Sequence, residues 1–334
     1  MDRLLIFGDN SLDFPQILLP RVHAVVAGRD DISICGVVDT TKRVPAARVI
    51  RILKVLAVSL AKKLFNPDQK LDWKRVRFDN LSDTCARLNI QVIVPPRRDI
   101  NDREFVDFVR ESIRPTMGLA IGCLQIFQSD LIALFDILVN YHNGLLPAYP
   151  GLRATSWSVY FAETHTGYTF HRINEVIDGG NILLQKQIPI SGKIPPGDLD
   201  QAKTVNAAEN IATVLDQMIA RAKGTPQSRE RVYFGKKKYE AVTSIDDPAD
   251  VTLAELERRL FAFGNLKIKI RGVTYPVTRI TSGTAASLRI PKLSFISKDR
   301  LRVKPLRFQH LPFMLYTLYR FFDERMRSGR REQR

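Results

Sequence analysis

The chain has 334 residues, 45% of them hydrophobic, which allows about two domains of roughly 150 residues with the buried cores of an ordinary soluble globular protein. Its three cysteines, Cys35, Cys85 and Cys123, lie far apart without a C-x-x-C pair, which excludes a disulfide framework and fits reduced packing thiols in the cytoplasm. The net charge of +16 calls for an anionic partner or surface, and from Thr225 onward 24 Lys and Arg against 11 Asp and Glu leave +13 of it in the last third.

The opening apolar run, followed at once by Asp9, lacks the basic and long apolar regions of a secretory leader, and no run of about 18 uncharged apolar residues suggests a membrane span. Residues 3–7 and 32–38 are short apolar runs around a helix starting near Pro15, the pattern of a crossover unit. Residues 46–65 carry apolar positions at helical spacing with Arg48, Arg51, Lys54, Lys62 and Lys63 beside them, so a basic amphipathic helix is expected. Contact of this helix with RNA or a membrane stays open. Strands at 91–94, 119–124 and 136–141 alternate with helical patterns at 100–114 and 127–134, which predicts an α/β domain with a doubly wound, mostly parallel sheet. Two further strands, 166–172 and 182–190, and a helix over 200–223 complete it, and Gly224-Thr225-Pro226 marks its end.

The first domain is therefore expected at 1–224 and a smaller, basic, β-rich domain at 225–334. The second begins with a helix over 252–263, continues as short strands punctuated by Gly272, Ser282-Gly283 and Pro291, and ends in an aromatic helix over 311–326 and a tail at 327–334.

The chemistry gathers behind one strand. Asn140 and His142 are two residues apart, so they project from one face, at the strand end where open α/β sheets place their sites. Asp178 opens a turn beside Gly179-Gly180, from which a carboxylate can reach back to His142. His165 and His171 fit structural roles better, and no histidine or cysteine spacing suits zinc, so no metal is expected. The turn after the first strand, Gly8-Asp9-Asn10-Ser11, has neither G-x-G-x-x-G nor a P-loop lysine, which argues against a dinucleotide or ATP.

Taken in order, N-x-H-x-G-L-L-P-x-Y-x-G from Asn140, T-G-Y-T-x-H from Thr166 and I-D-x-G-x-I-L-x-Q from Ile177 resemble the folate-dependent formyltransferases, whose members act on methionyl-tRNA, glycinamide ribonucleotide and amino sugars. The resemblance implies transfer of a formyl group from 10-formyltetrahydrofolate to a primary amine. It implies that Asn140 orients the formyl oxygen, His142 stabilises the tetrahedral intermediate, and Asp178 holds His142 and helps remove the amine proton. It further implies that the pterin meets main chain at Cys123, Leu124, Gln125, Ile126 and Phe127 and the loop at Val94 and Pro95. Core packing competes for Leu124, Ile126 and Phe127.

The acceptor is open. A nucleotide-linked amino sugar is the preferred partner, and Trp157 and Tyr160 are candidates to stack on an acceptor ring or to pack in the core. Methionyl-tRNA is the alternative, supported by Lys236-Lys237-Lys238, Lys267, Lys269, Arg271, Arg300, Arg302, Lys304 and Arg307. Against it, Gly144 and Pro150 replace the Ser and Arg usual in the tRNA enzymes. Peripheral membrane contact through residues 311–326, hydrolysis of the formylfolate, and a non-catalytic RNA- or membrane-binding scaffold complete the set of readings.

Overall fold

Strand β1 (Asp2–Gly8) shows how the architecture arises from side-chain alternation. Leu4 and Ile6 point into one apolar core and Leu5 and Phe7 into another, so the strand is buried on both faces. The same two-sided burial recurs in β4 (Met117–Ala120) and β5 (Ile137–His142), with α1 (Phe14–Ala27) and β2 (Ile32–Asp39) between β1 and the next described residues. The computed structural model describes residues 1–42, 81–228, 230–270, 273–277, 280–282, 295–296 and 302–305. The expected helices over 46–65 and 311–326 and the tail lie outside these residues.

The seven-stranded sheet runs β3-β2-β1-β4-β5-β6-β7, where β3 is Val92–Ile93, β6 is His165–Arg172 and β7 is Ile182–Pro189. The first five strands pair in parallel and the last two antiparallel, so the mostly parallel, doubly wound sheet is as expected. Helices α2 (Leu81–Arg87), α3 (Arg103–Phe108), α4 (Ser129–Ile132) and α5 (Ala154–Tyr160) connect the strands. The helix expected over 200–223 is two, α6 (Pro196–Glu209) and α7 (Ile211–Ile219). Asn210 separates them, its side-chain amide donating to the Asn206 carbonyl and the Tyr168 hydroxyl instead of leaving the backbone ladder unchallenged.

One core lies between the sheet and α1, α6 and α7, with Leu18, Leu19, Val22, Ala207, Val214 and Met218 against Ile6, Leu119 and Tyr168. The other holds Phe105, Val109 and Leu131 against Leu5, Phe7 and Leu138 on the opposite face. The carboxyl edge of β5, between these two layers, is the ground on which the site is built.

Two compact units divide at Phe234, not at Gly224: Met1–Phe234 and Gly235–Arg334. The reason is that residues 225–234 return over the first unit. Thr225 pairs with Ile182, and Phe234 exchanges backbone bonds with Pro150 and Leu152. The second unit contains α8 (Lys236–Thr243), β8 (Ser244–Ile245), α9 (Leu253–Phe263), β9 (Leu266–Ile270), β10 (Val273–Val277), β11 (Ile280–Ser282), β12 (Phe295–Ile296) and β13 (Arg302–Pro305). Among the described residues its strands form two three-stranded sheets, and Leu256, Leu266 and Ile268 anchor a small core. Thr252 caps α9 with its hydroxyl.

Candidate active site

Parity along β5 separates two chemistries. Ile137, Val139 and Tyr141 face the α1 layer, which leaves Leu138, Asn140 and His142 on the other face. Antiparallel pairing then sets Asn140 opposite His171 and His142 opposite Thr169. The turn after β6 brings Asp178 back over them, its Oδ2 3.6 Å from His142 Nδ1 and its Oδ1 3.5 Å from His171 Nε2. Asn140, His142 and Asp178 are thus brought together, and His171, read from sequence as a structural residue, joins them.

The hydrogen bonds fix which atom of each ring carries a proton. His142 Nε2 lies 2.8 Å from the Tyr149 carbonyl, which only accepts, so Nε2 is the donor. His142 Nδ1 is left on the Asp178 side. His171 Nδ1 donates to the Arg172 carbonyl at 2.9 Å, so its Nε2 accepts from the Asn140 amide at 3.1 Å. That orients Asn140, leaving its second N–H available.

Electrostatics reinforce this arrangement. Burial lowers the His142 pKa below the usual imidazole range, with Asp178 opposing that shift and His171 adding to it. Burial alone would raise the Asp178 carboxyl, but His142, His171 and the Gly151 amide, which donates to Oδ2 at 2.7 Å, hold it well below the ordinary carboxylate range. His142 and Asp178 thus form a buried pair, the imidazole shifted down by burial and the carboxyl shifted down by its neighbours.

Small residues make this fit. A Cβ at Gly144 would lie 2.4 Å from the Ala154 Cβ and 2.9 Å from His142 Nε2. Gly151 has φ +103°, which aims its N–H at Asp178, and a side chain there would meet the Phe234 carbonyl at 2.7 Å. Thr169 and Gln185, both motif positions, brace the loop after His142: the Thr169 hydroxyl donates to the Gly144 carbonyl and Gln185 Nε2 to the Leu146 carbonyl.

These groups open into a cleft of about 520 Å³. The loop from Gly122 to Phe127 lines it, with Leu124 and Ile126 exposed at 55% and 60%, so these two are free of the core. Phe127 is largely buried against Phe7, 5.0 Å between ring centres. Gln125 uses its side chain inward, donating to the Thr40 and Arg98 carbonyls and accepting from Ile100 N–H, so it braces the loop. Burial raises the Cys123 thiol to about 11, an unreactive group at neutral pH. Val94, exposed, and Pro95, buried, are not brought to the cleft wall. Trp157 is buried among Tyr160, Phe161 and Phe234 and packs in the core. Among the described residues no group of His, Cys, Asp and Glu suits a metal, and no helix is long and apolar enough to cross a membrane.

A Shewanella sp. FDAARGOS_354 sugar N-formyltransferase has this α/β fold, with a TM-score of 0.58 and 20% identity over 84% of this chain and 97% of that one. The sugar 3-N-formyltransferase WlaRD, solved in the presence of dTDP and 5-N-formyl-tetrahydrofolate, superposes with a TM-score of 0.53 and 16% identity over 92% of this chain and 98% of that one. In sequence, residues 66–215, a little under half of the chain, match the formyl transferase family. The GDP-perosamine N-formyltransferase of Brucella melitensis is 29% identical over 54% of this chain and 70% of that enzyme. Methionyl-tRNA formyltransferase of Koribacter versatilis is 29% identical over 44% of this chain, and the match spans about half of that enzyme's length, 46%.

Proposed function

We propose that the chain moves a formyl group from 10-formyltetrahydrofolate to the primary amine of a nucleotide-linked amino sugar. The observation that carries this reading is His142 held between the Tyr149 carbonyl and the Asp178 carboxylate, beside an Asn140 amide with one N–H to spare. Formyl transfer to an amine develops negative charge on oxygen and positive charge on nitrogen, which requires a donor and a base at one carbon.

In this reading Asn140 donates to the formyl oxygen as the amine nitrogen forms its bond to the formyl carbon. His142 Nδ1 takes the amine proton, directly or through water, and the resulting imidazolium stabilises the oxyanion. Asp178 stabilises that imidazolium, as a buried carboxylate does beside a catalytic histidine. When the carbon–nitrogen bond to the folate breaks, the proton passes to the departing nitrogen and the acceptor leaves as a formamide. His171 is a positioning residue, setting the Asn140 amide.

The folate supplies the activated one-carbon unit. The exposed Leu124 and Ile126 and the main chain of Gly122–Phe127 suit an apolar ring with polar edges, and the cleft volume lies in the range of small-molecule sites. The free, deactivated thiols agree with a cytoplasmic setting.

A nucleotide-linked sugar is favoured because Gly144, where a Cβ would meet His142 and Ala154, departs from the tRNA enzymes where the loop is tightest. Methionyl-tRNA is the second reading, favoured by the alternation that leaves Lys267 and Lys269 exposed on β9. Membrane contact would come from residues 46–65 or 311–326.

The test is calorimetric titration with 5-formyltetrahydrofolate, followed by transfer assays with GDP-perosamine, a dTDP-linked amino sugar and methionyl-tRNA. Folate binding with turnover of a sugar is the expected result. Absence of folate binding at millimolar concentration overturns formyl transfer, and turnover of methionyl-tRNA alone overturns the sugar.

A further inference from the structure

The face of β5 that carries Tyr141 leads to a second carboxylate, unused in the reaction above. Asp200, one turn into α6, lines the cleft with Asn143, Arg153, Thr155 and Ser156. Its Oδ1 accepts from the Asn143 amide at 2.6 Å and from the Thr155 hydroxyl, and Lys203 Nζ lies 3.8 Å away. Its Oδ2 has no donor among the described residues, and the side chain remains 36% exposed. One oxygen is locked to the protein, and the side chain lines the cleft.

Lys203 supplies the lock. Its side chain is fully buried, and Nζ donates to the Asn143 carbonyl at 2.8 Å and to Thr155 Oγ1 at 2.5 Å. Burying an ammonium is costly, and it is tolerated here because a carbonyl, a hydroxyl and a carboxylate surround it. An aspartate that merely solvated a surface would need no such support. Asn143 directly follows His142, so the chain segment holding the imidazole also holds Asp200.

The cleft therefore has two unlike ends. Exposed Leu124 and Ile126 extend from the layer that buries Phe127, whereas Asp200 rises from the layer of α1 and α6, with Asn140 and His142 at the sheet edge. A carboxylate lone pair asks for an O–H or N–H donor on whatever occupies its end.

Resting on the formyl-transfer reading, we propose that Asp200 is a specificity-determining residue whose Oδ2 accepts a hydrogen bond from a hydroxyl next to the reacting amine. Lys203 is the positioning residue that holds it. The acceptor class is an amino sugar with a free hydroxyl beside the amine, and a substrate without that hydroxyl leaves a charged acceptor unpaired, which binding sites punish strongly.

The experiment compares wild type, Asp200→Asn, Lys203→Met and the double variant on GDP-perosamine and on an analogue lacking the hydroxyl beside the amine. Asp200→Asn is expected to raise the KM for GDP-perosamine about 10- to 100-fold, with kcat and the calorimetric affinity for 5-formyltetrahydrofolate nearly unchanged. The analogue is expected to be poor with wild type and no poorer with the variant. Lys203→Met is expected to shift KM the same way, and the double variant to be no worse than Asp200→Asn. If Lys203→Met does not fold, the double variant, which removes both charges, carries that arm. An unchanged KM, an equal loss on both acceptors, or a parallel loss of folate affinity overturns the assignment. Wild type that binds no folate overturns formyl transfer itself, a separate outcome.

Discussion

Two carboxylates open into the same cleft, and their surroundings drive them in opposite directions. At the Asp178 corner two imidazoles and the Gly151 amide outweigh burial and keep the group ionised. At the Asp200 corner burial prevails, raising the carboxyl despite Lys203, Thr155 and Asn143, and it lowers Lys203 from 10.5 to about 8. The contrast is instructive because opposed shifts separate acid–base work from recognition within one pocket. In the proposed reaction Asp178 stabilises a charge that appears during transfer, and in the proposed recognition Asp200 meets a partner that arrives with the substrate.

The largest effect is expected at the first corner. Asp178→Asn should reduce kcat by about 100- to 10,000-fold with folate affinity retained. The pH profile sharpens the comparison: activity should fall as pH drops through a His142 pKa lying below 6.5. Because Asp178 pulls that pKa upward, the variant's acid limb should move to still lower pH. A limb that stays in place would show that His142 does not titrate in the rate.

Next in size is Gly144→Ala, whose methyl must displace His142 or α5. A kcat loss of about 10- to 100-fold is expected, measured with folate affinity as the control, since misplacement on the order of 1 Å costs about that much. At the Asp200 corner the expected effect is on stability. Lys203 has a lowered folded pKa, so the cost of burying its charge is fully present below pH 8 and fades as pH rises from about 8 towards 10.5. Thermal melts should show wild type gaining stability relative to Lys203→Met across that window.

The smallest effect belongs to a clamp away from the cleft. Arg221 pairs with Asp2 at 2.5 Å and with Asp136 at 2.9 Å, tying β1 to the residues after α7. The Arg221 guanidinium lowers Asp2 to about 2, so this stabilisation is present above pH 3.8 and lost as pH falls towards 2. Asp2→Asn should lower Tm at pH 7 by about 2–4 °C, equivalent to roughly 1 kcal/mol for a unit of this size. The difference from wild type should vanish near pH 2.

The legible parts of the molecule were those written in local pattern. Strand β5 is apolar on both faces up to Val139, so the change to Asn140 and His142 announces a strand end with two side chains on one face. Asp178 was reachable only through the spacing of the longer motif, because its distance to His142 is made by a turn and an antiparallel strand. His171 was undervalued because its partner Asn140 is 31 residues away, although its parity with Thr169 in β6 was a usable signal. Lys203 also left a trace: Leu199, Lys203 and Ala207 form one buried stripe at helical spacing, and a lysine in that stripe requires an internal partner. Gln125 left none, since its role depends on loops at Thr40 and Arg98 that sequence spacing does not bring together.

The returning segment before Phe234 has a practical consequence for dissecting the molecule. Phe234 packs on Tyr149 and Trp157, accepts from Leu152 N–H, and lies against the Gly151 whose amide holds Asp178. A fragment ending at residue 224 would leave that aromatic socket open and the Asp178 turn untethered. One ending at residue 234 would keep both, so loss of activity in the shorter fragment alone would report a missing latch and not a missing second domain.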